Sequence, residues 1–450
     1  MAEENKLEKI VSLCKRRGFV FQGSEIYGGL AGTYDYGHHG YELARNIKEL
    51  WWNHFVQKNP DVYGSASSTI MPEKVWEASG HLSGFTDPVV QCSKCKSFWR
   101  TDKIIESQHP IDGKFLCPYQ ECRNPLGSEE EIQKMAKPFN LMFEVKMGVG
   151  GDTTSYLRGE IAQGMFVNFK NYIDTLHPQL PFGVAQIGKA YRNEIAPRDF
   201  LFRVREFDLM EFEYFVRENE WEKHFEKWRR EMWDWVEKVG IDKKLVHELD
   251  VPDGERAHYS KRTIDFEFDY PFGRKELYGL AYRTDYDLKK HMEHSGVDLN
   301  YTNPESGEKF IPHVIEPSMG HDRTMLAVLL SAYREDELGG EKRIYLAFKP
   351  SVAPVKVAVF PLLRNKPELV KKAKEIFENL QKEFGAVEFD DNGNIGKRYR
   401  RQDEIGTPFC VTIDFNTLED NSITIRDRDT GKQERISEKD LVKYLQEKLC

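Results

Sequence analysis

The 22 residues from Tyr191 to Phe212, YRNEIAPRDFLFRVREFDLMEF, hold four arginines, five acids and four phenylalanines. A solvated charge run has no use for so many rings, and a strand buried on both faces does not tolerate the charges. Strand periodicity reconciles the two. Alternate residues of a strand share a face. In the second segment, Arg203, Arg205, Phe207, Leu209, Glu211 and Glu213 therefore fall on one side, and Val204, Glu206, Asp208, Met210 and Phe212 on the other. Arg192 and Glu194 share a face of the first segment, across the loop EIAPRD. A face with guanidinium forks, a ring and carboxylates suits a nucleotide with its metal, or an ammonium group. A solvated hairpin with cross-strand ion pairs fits the same pattern, and periodicity alone does not decide between them.

The rest of the chain sets the frame. At 450 residues it exceeds one ordinary core, so two or three domains are expected. Two prolines in YLAFKPSVAPVK (345–356) precede the strand-like VKVAVF, and the main boundary is placed there, giving units 1–350 and 351–450. Beyond it, strand and helix patterns alternate, which predicts a small α/β domain with a mixed sheet. The net charge of −9 argues against a broad basic face for nucleic acid. Residues 351–450 carry 18 basic and 18 acidic side chains, so the acid excess lies earlier, and the tail is the better candidate for RNA phosphates. Its cluster Lys397, Arg398, Arg400 and Arg401 is either a phosphate contact or a solvated helix face. No apolar run reaches membrane length and the charged N-terminus lacks a signal core, so a cytoplasmic protein without a membrane partner is expected.

Residues 86–136 break the pattern and are expected to form an inserted module. Cys92 and Cys95 have two residues between them, and Cys117 and Cys122 have four. Both spacings suit a closed, structural tetrahedral zinc site, with unliganded thiols as the alternative. Cys14, Cys410 and Cys450 lack partners at ligand spacing and read as plain thiols. Residues 41–58 predict a helix with Leu43, Ile47, Leu50, Trp51, His54 and Phe55 on one face, a stripe for either a dimer interface or the core. Residues 217–239 predict a second helix whose Trp221, Trp228 and Trp235 stripe is packing.

Three further segments bear on the opening stretch. YLRGEIAQGMFVNF (156–169) opens a helix after an Arg-Gly-Glu step. KELYGLAYRTDYDL (275–288) reads as a strand with Glu276 near its start. VIEPSMGHDRTMLAVLLSAY (314–333) ends a strand in Glu-Pro-Ser, turns at Gly320 and starts a helix with Arg323 in its first turn, where free backbone N–H groups favour an anion. The series Arg192, Glu194, Arg203, Phe207 resembles motif 2 of the class II aminoacyl-tRNA synthetases, and Gly320 to Arg323 resembles their motif 3. The helix after GTYDYGHHG lies where motif 1 would. FNLMF (139–143), the Arg-Gly-Glu segment, Glu-Pro-Ser-x-Gly and GKRYRRQDEIGTPFCVTID are most similar to the glycyl-tRNA synthetases of homodimeric type, over nearly the whole chain. Two departures stand out: Gly159 where that family has proline, and Ile161 where it has threonine.

The resemblance implies an α+β catalytic domain with an antiparallel sheet, an inserted cysteine-rich module and a C-terminal α/β anticodon-binding domain. It implies glycine, ATP and tRNA(Gly) as partners, a homodimer, and Mg2+ with ATP. Carried over by position, Arg192 would hold the α-phosphate, Glu194 would approach the adenine and the tRNA end, and Arg203 and Arg323 would clamp the γ-phosphate. Phe207 would stack on the base, Glu276 with Leu277 would lie beside ATP, and Glu276 would ligate magnesium. Asn193, Phe202, Arg205 and Gly320 complete the implied ATP set. Arg100, Glu160, Glu211, Glu316 and Ser318 would surround glycine.

Overall fold

Strands of alternating pattern assemble one seven-stranded sheet: β1 Val62–Gly64, β2 Phe182–Tyr191, β3 Glu206–Val216, β4 Val246–Asp250, β5 Arg262–Tyr270, β6 Gly273–Thr284 and β7 His313–Gly320. The computed structural model describes residues 6–449, so Cys450 lies outside them. The spatial order is β4-β5-β6-β7-β3-β2-β1, antiparallel throughout except for the parallel β2–β1 pair. One face packs on helices α1 His38–Trp52, α2 Trp221–Val239 and α4 His321–Ala332; α3 Tyr286–Ser295 packs nearer the other. The side chains of β3 divide as period 2 requires: Met210, Phe212, Tyr214 and Val216 enter the helix-covered core, while Phe207, Leu209, Glu211 and Glu213 face the opposite way.

Three expectations change here. The predicted helix 41–58 begins earlier, at His38, and turns into a wider π-type turn at Asn53–Gln57. Its stripe is not offered to a second chain: Leu43, Ile47, Trp51 and Phe55 are fully buried, with Trp51 and Phe55 rings 6.3 and 5.7 Å from Phe212. The tryptophan stripe of α2 closes over the same place, Trp228 lying 4.7 Å edge-on to Phe212. Strand β2 ends at Tyr191 and β3 begins at Glu206, so Arg192, Glu194, Arg203 and Arg205 lie just beyond the strand ends and not within them.

The C-terminal elements follow the predicted order, with β8 Val357–Pro361, α5 Pro367–Phe384, β9 Val387–Phe389, α6 Ile395–Ile405, β10 Phe409–Ile413 and β11 Ser422–Asp427. A short helix at Phe415–Asp420 and the edge strand β12 Gln433–Ser437 were not predicted. The five-stranded sheet is mixed, in the order β9-β8-β10-β11-β12. Both remaining thiols with residues described, Cys14 and Cys410, are buried and free.

The basic cluster of α6 is largely consumed inside the fold. Arg398 is buried and donates to the carbonyls of Pro361, Asp391 (2.9 Å) and Gly393 (2.7 Å). Arg401 pairs with Asp390 and Arg400 with Glu341 at 3.1 Å. Arg398 therefore acts as a cross-link between a strand end and a loop. Arg398→Ala should cost about 2–4 kcal/mol of stability, because three carbonyls lose their donors. Arg398→Lys should not restore it, since a single ammonium cannot span the set. Urea unfolding followed by far-ultraviolet circular dichroism checks both.

Candidate functional site

A cavity of about 520 Å³ opens on the face of the sheet away from α1 and α2. Its floor is made of small residues from β6. Gly279 is the clearest case: a Cβ placed there would meet nothing within 4 Å, so the missing side chain is open space. Around the floor the cavity wall collects Arg100, Glu160, Arg192, Glu194, Phe202, Arg203, Phe207, Glu211, Glu276, Leu277, Glu316, Ser318, Gly320 and Arg323. Of the residues expected at the site, Asn193 and Arg205 are not brought to the wall. The Asn193 backbone is tied to Leu141, and Arg205 turns away to bind the carbonyls of Glu194 and Ala31.

One end is basic. Arg192 donates to the Gly159 carbonyl at 3.1 Å, and its guanidinium lies 5.2 Å from the ring centres of both Phe85 and Phe207. A Cβ on Gly159 would stand 3.0 Å from the Met142 sulfur and a Phe85 ring carbon, so any side chain there needs those two to give way. Arg323, in the first turn of α4, packs over Phe202 at 4.6 Å and pairs with Glu276 at 3.2 Å. That guanidinium keeps the Glu276 carboxyl below its ordinary range. Burial pulls the pKa of Arg203 down, and its partner Glu194 stands 3.9 Å away. Beneath these, Asp322 accepts from the Tyr36 hydroxyl and, at 2.9 Å, from the Asp208 backbone N–H, tying three distant segments together.

The other end is acidic, and its organiser escaped the sequence reading. Arg283 is 1% exposed and sits where the β6–β7 register shifts between Tyr282 and Thr284. Such a bulge re-aims a side chain. Its guanidinium donates to Glu316 at 2.8 Å and to both oxygens of Asp287 at 2.8 and 2.9 Å, and lies 4.0 Å from Glu160. Tyr259 covers it, 3.7 Å from guanidinium to ring centre. Glu211 accepts from the Ser318 hydroxyl. Burial, then the neighbouring Glu316 and Glu160, push the Glu211 carboxyl well above its usual range. Glu316 is raised to about 7, burial outweighing the opposing pull of Arg283. Glu160 goes the other way: burial opposes its charge, but His81 at 3.3 Å, Arg283 and Gln163 hold its pKa low. The i, i+4 spacing of Arg283 and Asp287, from strand end to helix start, was the available signal for this network.

The cysteine-bearing segment contributes to the same wall. Thr86–Gln91, Phe98–Arg100 and Lys137–Asn140 form a three-stranded sheet that brings Asp87 and Arg100 to the cavity, joined at 2.5 Å. Cys92 and Cys122 sulfurs lie 3.7 Å apart and those of Cys95 and Cys117 3.6 Å apart, all four within 4.8 Å of one another. Four sulfurs on a tetrahedral zinc ion at about 2.3 Å would be about 3.8 Å apart. The donor set fits the ion. Hydrogen bonds from Ser97 bring the Cys95 thiol down to about 6, while burial pushes the Cys117 thiol up to about 12.

Two family models match the chain: the tRNA synthetase class II core domain (G, H, P, S and T) over residues 149–332, and an anticodon binding domain over 356–448. The chain is 48% identical to the glycine–tRNA ligase of Clostridium acetobutylicum, over 100% of both chains. It is 48% identical to that of Caldanaerobacter subterraneus subsp. tengcongensis over 98% of each. Against that of Bacillus cereus the identity is 45%, over 98% of this chain and 99% of the relative.

Behind the acidic end, buried His291 shares a hydrogen bond of 2.8 Å with Gln163, whose amide in turn donates to Glu160 and Asp287. Burial lowers the His291 pKa to about 4, so the ring is neutral when folded. In the unfolded chain histidine titrates near about 6.5. Its contribution is therefore full above that value and is lost as pH falls from about 6.5 toward about 4. His291→Gln should flatten the fall of melting temperature between about pH 7 and about pH 5. Thermal scans of both proteins across that range measure the difference.

Proposed function

Because this chain belongs to the glycine–tRNA ligases, class II aminoacyl-tRNA synthetases that activate glycine with ATP and pass the glycyl group to tRNA(Gly), we propose how its cavity divides the work. The observation that carries the proposal is the polarity of one cavity: arginines at one end, carboxylates at the other. The basic end takes the triphosphate. Arg192 holds the α-phosphate, Arg203 and Arg323 take the γ-phosphate, and Phe207 lies against the base. Asn193, Phe202, Arg205 and Gly320 support that end, and Glu194 approaches the adenine and the tRNA terminus. Glu276, ionised and beside Leu277, offers a hard oxygen to the magnesium that arrives with ATP. The acidic end takes the ammonium group of glycine through Glu160, Glu211, Glu316 and Ser318, and Arg100 reaches the substrate from the side.

The chemistry then needs no protein nucleophile. The glycine carboxylate attacks the α-phosphorus and pyrophosphate leaves; the terminal adenosine hydroxyl of the tRNA then attacks the acyl carbon of the adenylate, and AMP leaves with the hydroxyl proton on its phosphate. The residues position the reactants and neutralise phosphate charge; Arg192 carries the largest share at the pentacoordinate phosphorus. We place anticodon contacts in residues 351–450, supported by the matching domain model. Zinc at Cys92, Cys95, Cys117 and Cys122 holds the sheet that delivers Arg100. We assign a homodimer, in keeping with the exposed Ile26 and Tyr27, and a cytoplasmic location, in keeping with the absence among the described residues of a helix long and apolar enough to cross a membrane.

Glu316→Gln should raise the KM for glycine at least about tenfold in pyrophosphate exchange and leave that for ATP within about twofold. An unchanged glycine dependence rules out the ammonium cage. Elemental analysis of purified protein should find about one zinc per chain. A metal-free protein with four reduced thiols and full exchange activity would remove zinc from the assignment.

A further inference from the structure

The strand face that carries Glu211 continues two residues on to Glu213, which is not part of the cavity wall and has no role in the steps above. Glu213 is fully buried, and neither of its carboxyl oxygens has a hydrogen-bond partner. Oε1 of Glu211 is orphaned in the same way. Glu211, Glu213 and Glu316 each present an oxygen within 4.8 Å of the other two. The β3–β7 register, which pairs Glu211 with Ser318 and Tyr214 with Ile315, sets Glu213 across from Glu316.

The charged groups that face Glu213 are Glu211 on its own strand, Glu316 on β7, Arg283 on β6 and Asp287 on α3. The one cation among them is committed elsewhere: the hydrogen bonds of Arg283 in this cluster go to Glu316 and Asp287. Three unbonded acceptor oxygens buried together are costly, and no donor from the described residues reaches them. A proton held between two of them removes most of that cost. It turns one carboxylate into a donor and leaves the other an acceptor.

We propose that Glu213 is a positioning residue for glycine, held as the neutral acid and donating its O–H to Oε1 of Glu211. With the Ser318 hydroxyl on the other oxygen, the Glu211 carboxylate is then fixed on both sides and aimed at the ammonium group. Burial, and then the charge of Glu316, hold both the Glu211 and the Glu213 carboxyls well above the ordinary range, in keeping with a proton retained between the two. Glu213, the one away from the cavity, is the one assigned to carry it. The role rests on the ammonium-cage assignment of the acidic end.

Substitution separates this role from simple packing. Glutamine can donate an N–H where the acid donates its O–H; leucine has similar bulk and no donor. Glu213→Gln should keep the glycine KM within about threefold of the parent, and Glu213→Leu should raise it at least about tenfold, with the ATP KM within about twofold in both. Unchanged glycine use in Glu213→Leu, or a Gln variant as impaired as the Leu variant, overturns the proposal. Should the Leu variant fail to fold, infrared difference spectra of the parent against Glu213→Gln decide at neutral pH. The carbonyl band of a protonated carboxylic acid supports the assignment, and carboxylate bands alone, as an ionised trio around a cation would give, overturn it. Failure of the cage reading looks different, because then Glu316→Gln leaves glycine use unchanged as well.

Discussion

Glu160, Glu211 and Glu316 line one end of the cavity with Glu213 and Asp287 buried behind them, and the Arg283 guanidinium is the buried cation that lets them coexist there. Desolvating that many carboxyl groups is tolerable only when charge is paired or protons are retained. A lysine would not serve. The planar fork reaches both oxygens of Asp287 and the nearer oxygen of Glu316 at once, and its flat face accepts the Tyr259 ring. The register shift on β6 supplies the aim, so a local irregularity of the sheet governs the electrostatics of the whole acidic end.

Polarity along the cavity also gives the substrate a direction. On the proposed assignment, an amino acid in its dipolar form has its ammonium drawn to Glu160, Glu211 and Glu316 and its carboxylate drawn toward Arg192. On that reading the alignment brings the attacking oxygen to the α-phosphate without any group having to reach for it. The bare floor at Gly279 keeps the route between the two ends clear. Arg100 joins from a sheet that is separate in hydrogen bonding from the central one, so part of the wall depends on the cysteine-bearing segment keeping its shape.

Much of this was legible in residue order because it follows period and motif. Alternation along β3 separated Phe212 and Tyr214 from Phe207 and Glu211, and the tryptophan spacing of α2 marked a packed stripe. The motif residues Arg192, Arg203, Glu276 and Arg323 meet in one wall as expected. What was not legible depends on partners far away in sequence. Nothing local shows that Arg283 faces Glu316, 33 residues on, or that His81 reaches Glu160. Arg398 of α6 was misread for the opposite reason: a run of positive charge looks exposed until the carbonyls that enclose this one side chain are known. Strand ends misled as well, since extended backbone continues the period past Tyr191 without continuing the sheet.

The junction at Asp322 has a consequence for how the molecule comes into being. The carboxylate joins Tyr36, 286 positions earlier in the chain, to the Asp208 backbone and to the start of α4. Contacts of such separation carry a large loop-closure cost and form late in folding. On a ribosome, the sheet cannot receive β7 until residue 320 has emerged, although β7 lies between β6 and β3 at its centre. A nascent chain short of that point has two half-sheets and exposed edges in place of a cavity. Neither nucleotide nor amino acid has a completed pocket to stabilise, and the early chain must be protected by something other than its own ligands.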